Sequence, residues 1–140
     1  MRDIKSEKEI NQISKENEGY LLDFRSWLKA NSLQEQTINK HISNVDLFIN
    51  DFLCYYEQQP VSYGCTILNS YFSLWFIRKT VVSSSNIMRS HASSIKKFYR
   101  FMVEKGIIEE IDYEYLCEII KEMMPFWLKD MQEQNSYLFD

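Results

Sequence analysis

The stretch at positions 83–106, SSSNIMRSHASSIKKFYRFMVEKG, predicts the best-defined helix of this chain. Its serines can cap a first helical turn, and Gly106 can adopt the left-handed conformation that ends a helix. Apolar and aromatic side chains recur every three or four residues, which places them on one inner face. These are Ile87, His91, Ile95, Phe98, Tyr99 and Met102. The outer face carries Asn86, Arg89, Ser90, Ser93, Lys96, Lys97 and Arg100. This polar and basic face is either a solvated surface or a binding surface.

Similar spacing predicts helices before this stretch. One carries the apolar residues between Tyr20 and Leu28, and the charged segment 1–18 is expected to be a loosely docked helix at most. A long helix is predicted over 35–57. The apolar residues that form its inner face are Ile38, Ile42, Val45, Phe48, Ile49, Phe52 and Tyr56. A helix over 66–79 is apolar nearly all round, so it should be buried on several sides or lie under a partner. A strand is an alternative for part of it because β-favouring residues are frequent there.

The C-terminal part is predicted to be helical in two pieces. Asp112 is a suitable N-cap for a helix through Met123, and Pro125 suits the first turn of a separate last helix. The positions after Gln134 are expected to be loose. Only three Gly and two Pro occur in 140 residues, and 45% of the residues are hydrophobic. Few turn residues and ample core material predict an all-α helical bundle.

The charge of the chain is unevenly distributed. Its formal net charge is −4, but seven basic residues face one acid over 78–106, whereas 107–140 carries nine acids and two lysines. Such blocks can form a polar partner site or pair within the fold, and the acidic segment could shield the basic one. The acidic total argues against strong non-specific binding of nucleic acid.

No pattern in the sequence predicts a metal, a cofactor or a membrane span. Cys54, Cys65 and Cys117 are scattered and have no ligand partner at metal-binding spacing, so buried reduced thiols are expected. No triad spacing, phosphate-binding loop or paired acids stand out, which argues against an enzyme. The apolar runs are shorter than a membrane span and the N-terminus is charged, so we expect a soluble, cytoplasmic protein.

Two segments carry a family resemblance. Positions 33–52, LQEQTINKHISNVDLFINDF, and 84–108, SSNIMRSHASSIKKFYRFMVEKGII, resemble helices of the core-binding domain of tyrosine recombinases, the phage integrases. The resemblance covers 19–108 and implies a small SAM-like orthogonal bundle of about four core helices. Positions 1–18 would then be an N-terminal extension, and 109–140 an acidic C-terminal helical extension.

The resemblance implies that two helices face the major groove of double-stranded DNA. By position it assigns DNA contacts to Gln36, Thr37, Lys40, Ser84, Asn86 and Arg89, with Lys97 and Arg100 extending the contact along the backbone. These residue types suit the role, because hydroxyls, amides and helix N-termini bind phosphate oxygens while Arg and Asn can read base edges.

The sequence also departs from the family. Family catalysis needs arginines, a lysine, a His-x-x-Arg pair and a nucleophilic tyrosine in a second domain. Neither His41 nor His91 begins such a pair, and both are expected to be partly buried with satisfied hydrogen bonds. We therefore expect a non-catalytic DNA-binding module, accessory to DNA integration or recombination. The alternative is a protein-interaction or dimerisation domain that uses the apolar third helix or the C-terminal helices.

Overall fold

The computed structural model describes residues 5–79 and 84–139, with side chains as far as Ser136. Its elements are α1 (Glu7–Ala30), α2 (Glu35–Asp46), a π-helical segment (Leu47–Tyr56), a 3₁₀ turn (Val61–Thr66), α3 (Leu68–Ser70), a second π-helical segment (Tyr71–Trp75), α4 (Phe76–Lys79), α5 (Ser85–Glu104) and α6 (Glu110–Phe139). No strand occurs in these ranges, so the predicted all-α class is confirmed and the strand alternative for 66–79 is wrong. No helix within them is long and apolar enough to cross a membrane.

Helix α5 has the predicted caps and most of the predicted inner face. Ser84 Oγ accepts from the backbone N–H of Ile87 at 3.2 Å, and Gly106 has a φ of 82°. Of the two other serines proposed as caps, Ser85 is the first residue of the helix and Ser83 lies outside the described residues. Ile87 was wrongly placed in the core, because it is 42% exposed whereas Met88 is fully buried. At the start of α5 the buried face therefore differs from the predicted one by about one residue.

Helix α1 is continuous across positions 18 and 19. Its first turn is fixed by a capping box, in which Ser6 Oγ accepts from the N–H of Glu9 and the Glu9 carboxylate accepts from the N–H of Ser6. Asn17 is only 1% exposed, and its Nδ2 donates to the carbonyl of Ile49 at 3.1 Å. This bond joins α1 to the first π-helical segment.

Half of the residues of the third helical stretch, 68–79, are buried. Its fully or nearly fully buried residues are Leu68, Tyr71, Phe72, Trp75, Phe76 and Ile77. Burial on several sides is thus confirmed, with the exception of Leu74, which is 54% exposed. Tyr56, predicted on the inner face of the preceding helix, is 52% exposed and that assignment was wrong.

Helix α6 begins at Glu110, so the predicted N-cap at Asp112 was wrong. It runs through Pro125 without a break and continues to Phe139, so the separate helix predicted from Pro125 and the loose segment predicted after Gln134 were also wrong. Proline in a helix costs about 3 kcal/mol, and tertiary contacts on both sides of it offset this cost. Trp127 is fully buried, and its Nε1 donates to Asn69 Oδ1 at 2.9 Å.

Candidate nucleic-acid interface

A buried polar network joins α2 to α5. Ser94 is fully buried and donates to the carbonyl of Ser90 at 3.0 Å. Its Oγ accepts from Asn44 Nδ2 at 3.0 Å and lies 2.8 Å from His41 Nδ1. Because the single hydroxyl proton of Ser94 goes to Ser90, His41 Nδ1 must be the donor in its contact. The prediction that His41 is partly buried with a satisfied hydrogen bond is therefore confirmed.

The protonation state of His41 follows from its surroundings. Burial lowers the pKa of His41, and the positive charges of Lys97 and Lys40 lower it further. The ring is therefore neutral near pH 7, with its proton on Nδ1 and Nε2 left as an acceptor. Lys40 of α2 and Lys97 of α5 therefore both lie near enough to His41 for their charges to act on it.

The contacts of the network define where the two helices meet. His41 lies against Ser94, and Asn44, one turn later in α2, reaches both Ser94 at 3.0 Å and Ser90 at 3.4 Å. The two helices therefore cross at the turn that carries His41 and Asn44 in α2 and the turn that carries Ser90 and Ser94 in α5.

The cations of this face differ in their pairing. Lys40 and Arg89 are exposed, Lys97 is half-buried, and none of the three forms an ion pair with any residue that the structure describes. Arg100 is instead held by Glu110 at the start of α6, with Nη1 at 3.2 and 3.3 Å from the two carboxylate oxygens. Arg100 also lies over the ring of Tyr113. One of the predicted DNA contacts is thus already neutralised by the acidic helix.

A cleft of about 280 Å³ opens beside the network. It is lined by Lys40, Asn44, Asn86, Ile87, Ser90 and His91. Lys40 and Asn86, predicted from different helices, are thereby brought together. Burial, with a smaller effect from Lys40, lowers the pKa of His91 to about 4. Its Nδ1 has no hydrogen-bond partner among the described residues, so the predicted satisfaction of His91 was wrong.

The remaining predicted contacts have separate positions. Gln36 and Thr37 are exposed in the first turn of α2, where the capping residue Gln34 provides no side-chain cap. Ser84 uses its hydroxyl to cap α5. The network residues Asn44 and Ser94 were missed from the sequence. In the sequence, each of the two residues is only a polar side chain beside an apolar stripe. That pattern does not show which residue of another helix lies against it.

All three cysteines are free, with Cys54 and Cys65 buried and Cys117 half-buried. Burial raises the pKa of the Cys65 thiol to about 12, so it is a poor nucleophile or metal ligand near neutral pH. Among the described residues, no group of three or more His, Cys, Asp or Glu side chains could hold a metal ion.

Comparison with known proteins returned no relative: no family model matches the chain, and no curated protein or solved structure is significantly similar to it.

Proposed function

We propose that this protein is a non-catalytic module that binds double-stranded DNA through the outer surfaces of α2 and α5, in the manner implied by its resemblance to the core-binding domain of tyrosine recombinases. Its role would be accessory to DNA integration or recombination. The observation that carries the proposal is a set of three cations, Lys40, Arg89 and Lys97, that form no ion pair within the described part of the chain. They lie on two helices that a buried network holds in one arrangement.

The buried network matters because it fixes the two helices that carry the cations. A surface lysine gains little from one phosphate, since an exposed ion pair contributes about 0–1 kcal/mol. Several cations carried on a fixed backbone can contact successive phosphates at the cost of ordering only their side chains, and each contact releases condensed counterions. Asn44 and Ser94 therefore contribute indirectly, by fixing the helices that carry Lys40 and Lys97.

The cleft adds groups that suit the same ligand. Asn86 and Ser90 offer an amide and a hydroxyl beside the Lys40 ammonium, and groups of this kind position phosphates or base edges. His91 stays neutral there because its pKa is about 4. The face therefore keeps the same charge across the physiological pH range.

Binding should be weak and strongly dependent on salt. The net charge of the chain is −4, and Glu110 already occupies Arg100. Three free cations that neutralise three phosphates give a log–log salt slope of about −2.7, at about −0.9 per phosphate. Non-specific affinities of this kind lie at about 10⁻⁴–10⁻⁶ M.

The test is fluorescence anisotropy of a labelled duplex over a salt series. We expect Lys40→Gln/Arg89→Gln/Lys97→Gln to flatten the salt slope by about 2.7 units, about 0.9 per lost phosphate contact. The matched control is Lys8→Gln/Lys15→Gln/Lys29→Gln, which removes the same charge from exposed positions of α1. The proposal fails if wild type shows no salt-sensitive binding, or if the two triple variants weaken binding equally.

A further inference from the structure

Ile87 is an apolar residue on an otherwise polar surface. The periodicity of the sequence predicts it in the core, but its side chain is 42% exposed and lines the cleft between α2 and α5. The other described residues that line this cleft are Lys40, Asn44, Asn86, Ser90 and His91. A single exposed aliphatic side chain is common on protein surfaces. Ile87 is distinctive because it lies on the surface that is proposed to bind DNA.

Asn86 and Ile87 lie in the first turn of α5. Ser84 is the N-cap of this helix, so Asn86 and Ile87 are its second and third residues. When a helix enters the major groove of a duplex, its N-terminal residues are the ones that contact base edges. Arg89 follows Asn86 by three residues, which places the two side chains on the same side of the helix. Arg89 can therefore contact a phosphate beside the bases that Asn86 contacts.

The side-chain amide of Asn86 is available to a ligand. It is exposed and forms no hydrogen bond within the described part of the chain. An amide offers a donor and an acceptor side by side. In the major groove adenine presents an acceptor, N7, beside a donor, the N6 amino group, and an asparagine can bond to both at once. Asn86 therefore matches adenine better than guanine, which presents two acceptors there.

Ile87 can make an apolar contact in the same groove. The C5-methyl group of thymine is the apolar group that base pairs present there. Thymine pairs with adenine, so a contact of Ile87 with thymine and a contact of Asn86 with adenine both favour A·T pairs. The two adjacent residues therefore support the same selectivity.

The remaining groups of the cleft do not favour a G·C pair. None of the described residues that line it is acidic, so it lacks the carboxylate acceptor that suits the amino group of cytosine. A lysine can bond to guanine, and Lys40 is the one lining residue with this ability. In the proposed function, however, Lys40 contacts a phosphate, which leaves Asn86 and Ile87 to contact the bases.

We propose that Asn86 and Ile87 give this protein a preference for A·T base pairs, which they read in the major groove through adenine N6 and N7 and the thymine methyl group. The preference rests on the proposed function, since it requires that the outer surfaces of α2 and α5 bind duplex DNA. Lys40 and Arg89 hold the flanking phosphates, and such contacts supply affinity and position without sequence information.

The test compares labelled duplexes that differ in the groups to be read. One has a core of A·T pairs between constant ends, and another has a G·C core. In a third duplex uracil replaces thymine, which removes the C5-methyl group. In a fourth, 7-deazaadenine replaces adenine, which removes the N7 acceptor. Both replacements retain base pairing, and the dissociation constants are measured by fluorescence anisotropy at low salt.

Wild type should bind the A·T duplex at least about fivefold more tightly than the G·C duplex. Loss of the thymine methyl group should weaken binding about fourfold. Ile87→Ala should bind the thymine and uracil duplexes equally and still prefer adenine to 7-deazaadenine, whereas Ile87→Val should retain both preferences. Asn86→Ala should lose the preference for adenine and keep that for thymine. The matched controls, Leu22→Ala and Asn11→Ala at exposed positions of α1, should behave as wild type does.

The outcomes separate this preference from DNA binding itself. Salt-sensitive binding that is equal for all the duplexes would overturn the preference and leave the proposed function intact. A tighter complex with the G·C duplex would also overturn it and would indicate that Lys40 contacts guanine. A preference that both Ile87→Ala and Asn86→Ala leave unchanged would show that DNA shape is the source, and so would refute the roles of these residues. A wild type without salt-sensitive binding would overturn both proposals.

Discussion

Gly64 is a position where one added methyl group tests the packing of the core directly. A Cβ at Gly64 would overlap Tyr99 Oη and would lie 2.7 Å from Cζ of the same ring and 3.0 Å from Cε2 of Phe48. Both rings are completely buried, so neither can turn out into solvent. Gly64→Ala must therefore displace the Tyr99 ring or the 3₁₀ turn that carries position 64.

The expected cost has two parts. Overpacking a dense core costs about 1–3 kcal/mol. Tyr99 Oη also donates to the carbonyl of Val61 at 2.7 Å, and the loss of such a bond costs about 1 kcal/mol. We expect Gly64→Ala to lower the free energy of unfolding by about 2–4 kcal/mol. For a domain of this size the Tm should fall by roughly 6–12 °C.

The assay is urea and thermal unfolding, followed by circular dichroism, of a double-mutant cycle. Tyr99→Phe removes the overlapping hydroxyl, so Gly64→Ala should cost about 1 kcal/mol less in that background. Gly19→Ala is the control, because nothing lies within 4 Å of its added Cβ. In the middle of α1 it should stabilise the helix by about 0.5–1 kcal/mol. A cost below about 1 kcal/mol for Gly64→Ala, or equal costs in both backgrounds, would refute this reasoning.

Three further predictions concern single polar residues. Asn17→Ala should lower the free energy of unfolding by about 1–3 kcal/mol, because it removes the hydrogen bonds from Asn17 Nδ2 to the carbonyl of Ile49 and to Asn50 Oδ1; urea unfolding measures this. Glu110→Gln should release Arg100 and make duplex binding tighter, with a salt slope about 0.9 units steeper in an anisotropy titration. The pKa of His91 is about 4 in the folded protein against 6.5 ordinarily, so the unfolded chain binds more protons between these values. Stability should therefore be complete above pH 6.5 and fall by up to about 2 kcal/mol toward pH 4, as measured by urea unfolding over a pH series.

Each of these has a matched control. Asn11→Ala, at an exposed position of the same helix, should change stability little, and an equal loss would contradict the role of Asn17. Glu109→Gln removes the same charge without touching Arg100, so an equal gain in DNA affinity would count against the specific effect of Glu110. His91→Gln should remove most of the loss at low pH and leave the smaller part due to His41. An unchanged pH profile would show that another group is responsible.

The amino-acid sequence was informative where structure depends on near neighbours along the chain. The all-α class, the Ser84 cap, the Gly106 stop and most of the inner faces of α2 and α5 were predicted correctly. These features depend on backbone hydrogen bonding and on the period of apolar residues, which act over one or two turns. The errors at Ile87 and Tyr56 lie near the ends of apolar stripes, where few neighbours define the face.

The tertiary structure decided the features that depend on contacts between distant segments. Pro125 signals a helix start by its local preference, yet α6 continues through it because Trp127 packs in the core and bonds to Asn69. Arg100 has the same chemistry as Arg89, but only Arg100 lies opposite an acid, Glu110. Periodicity shows which side of a helix is buried and not which residues of another helix lie against it. Those pairings, and with them the set of cations left free on α2 and α5, are determined by the packing of the whole bundle.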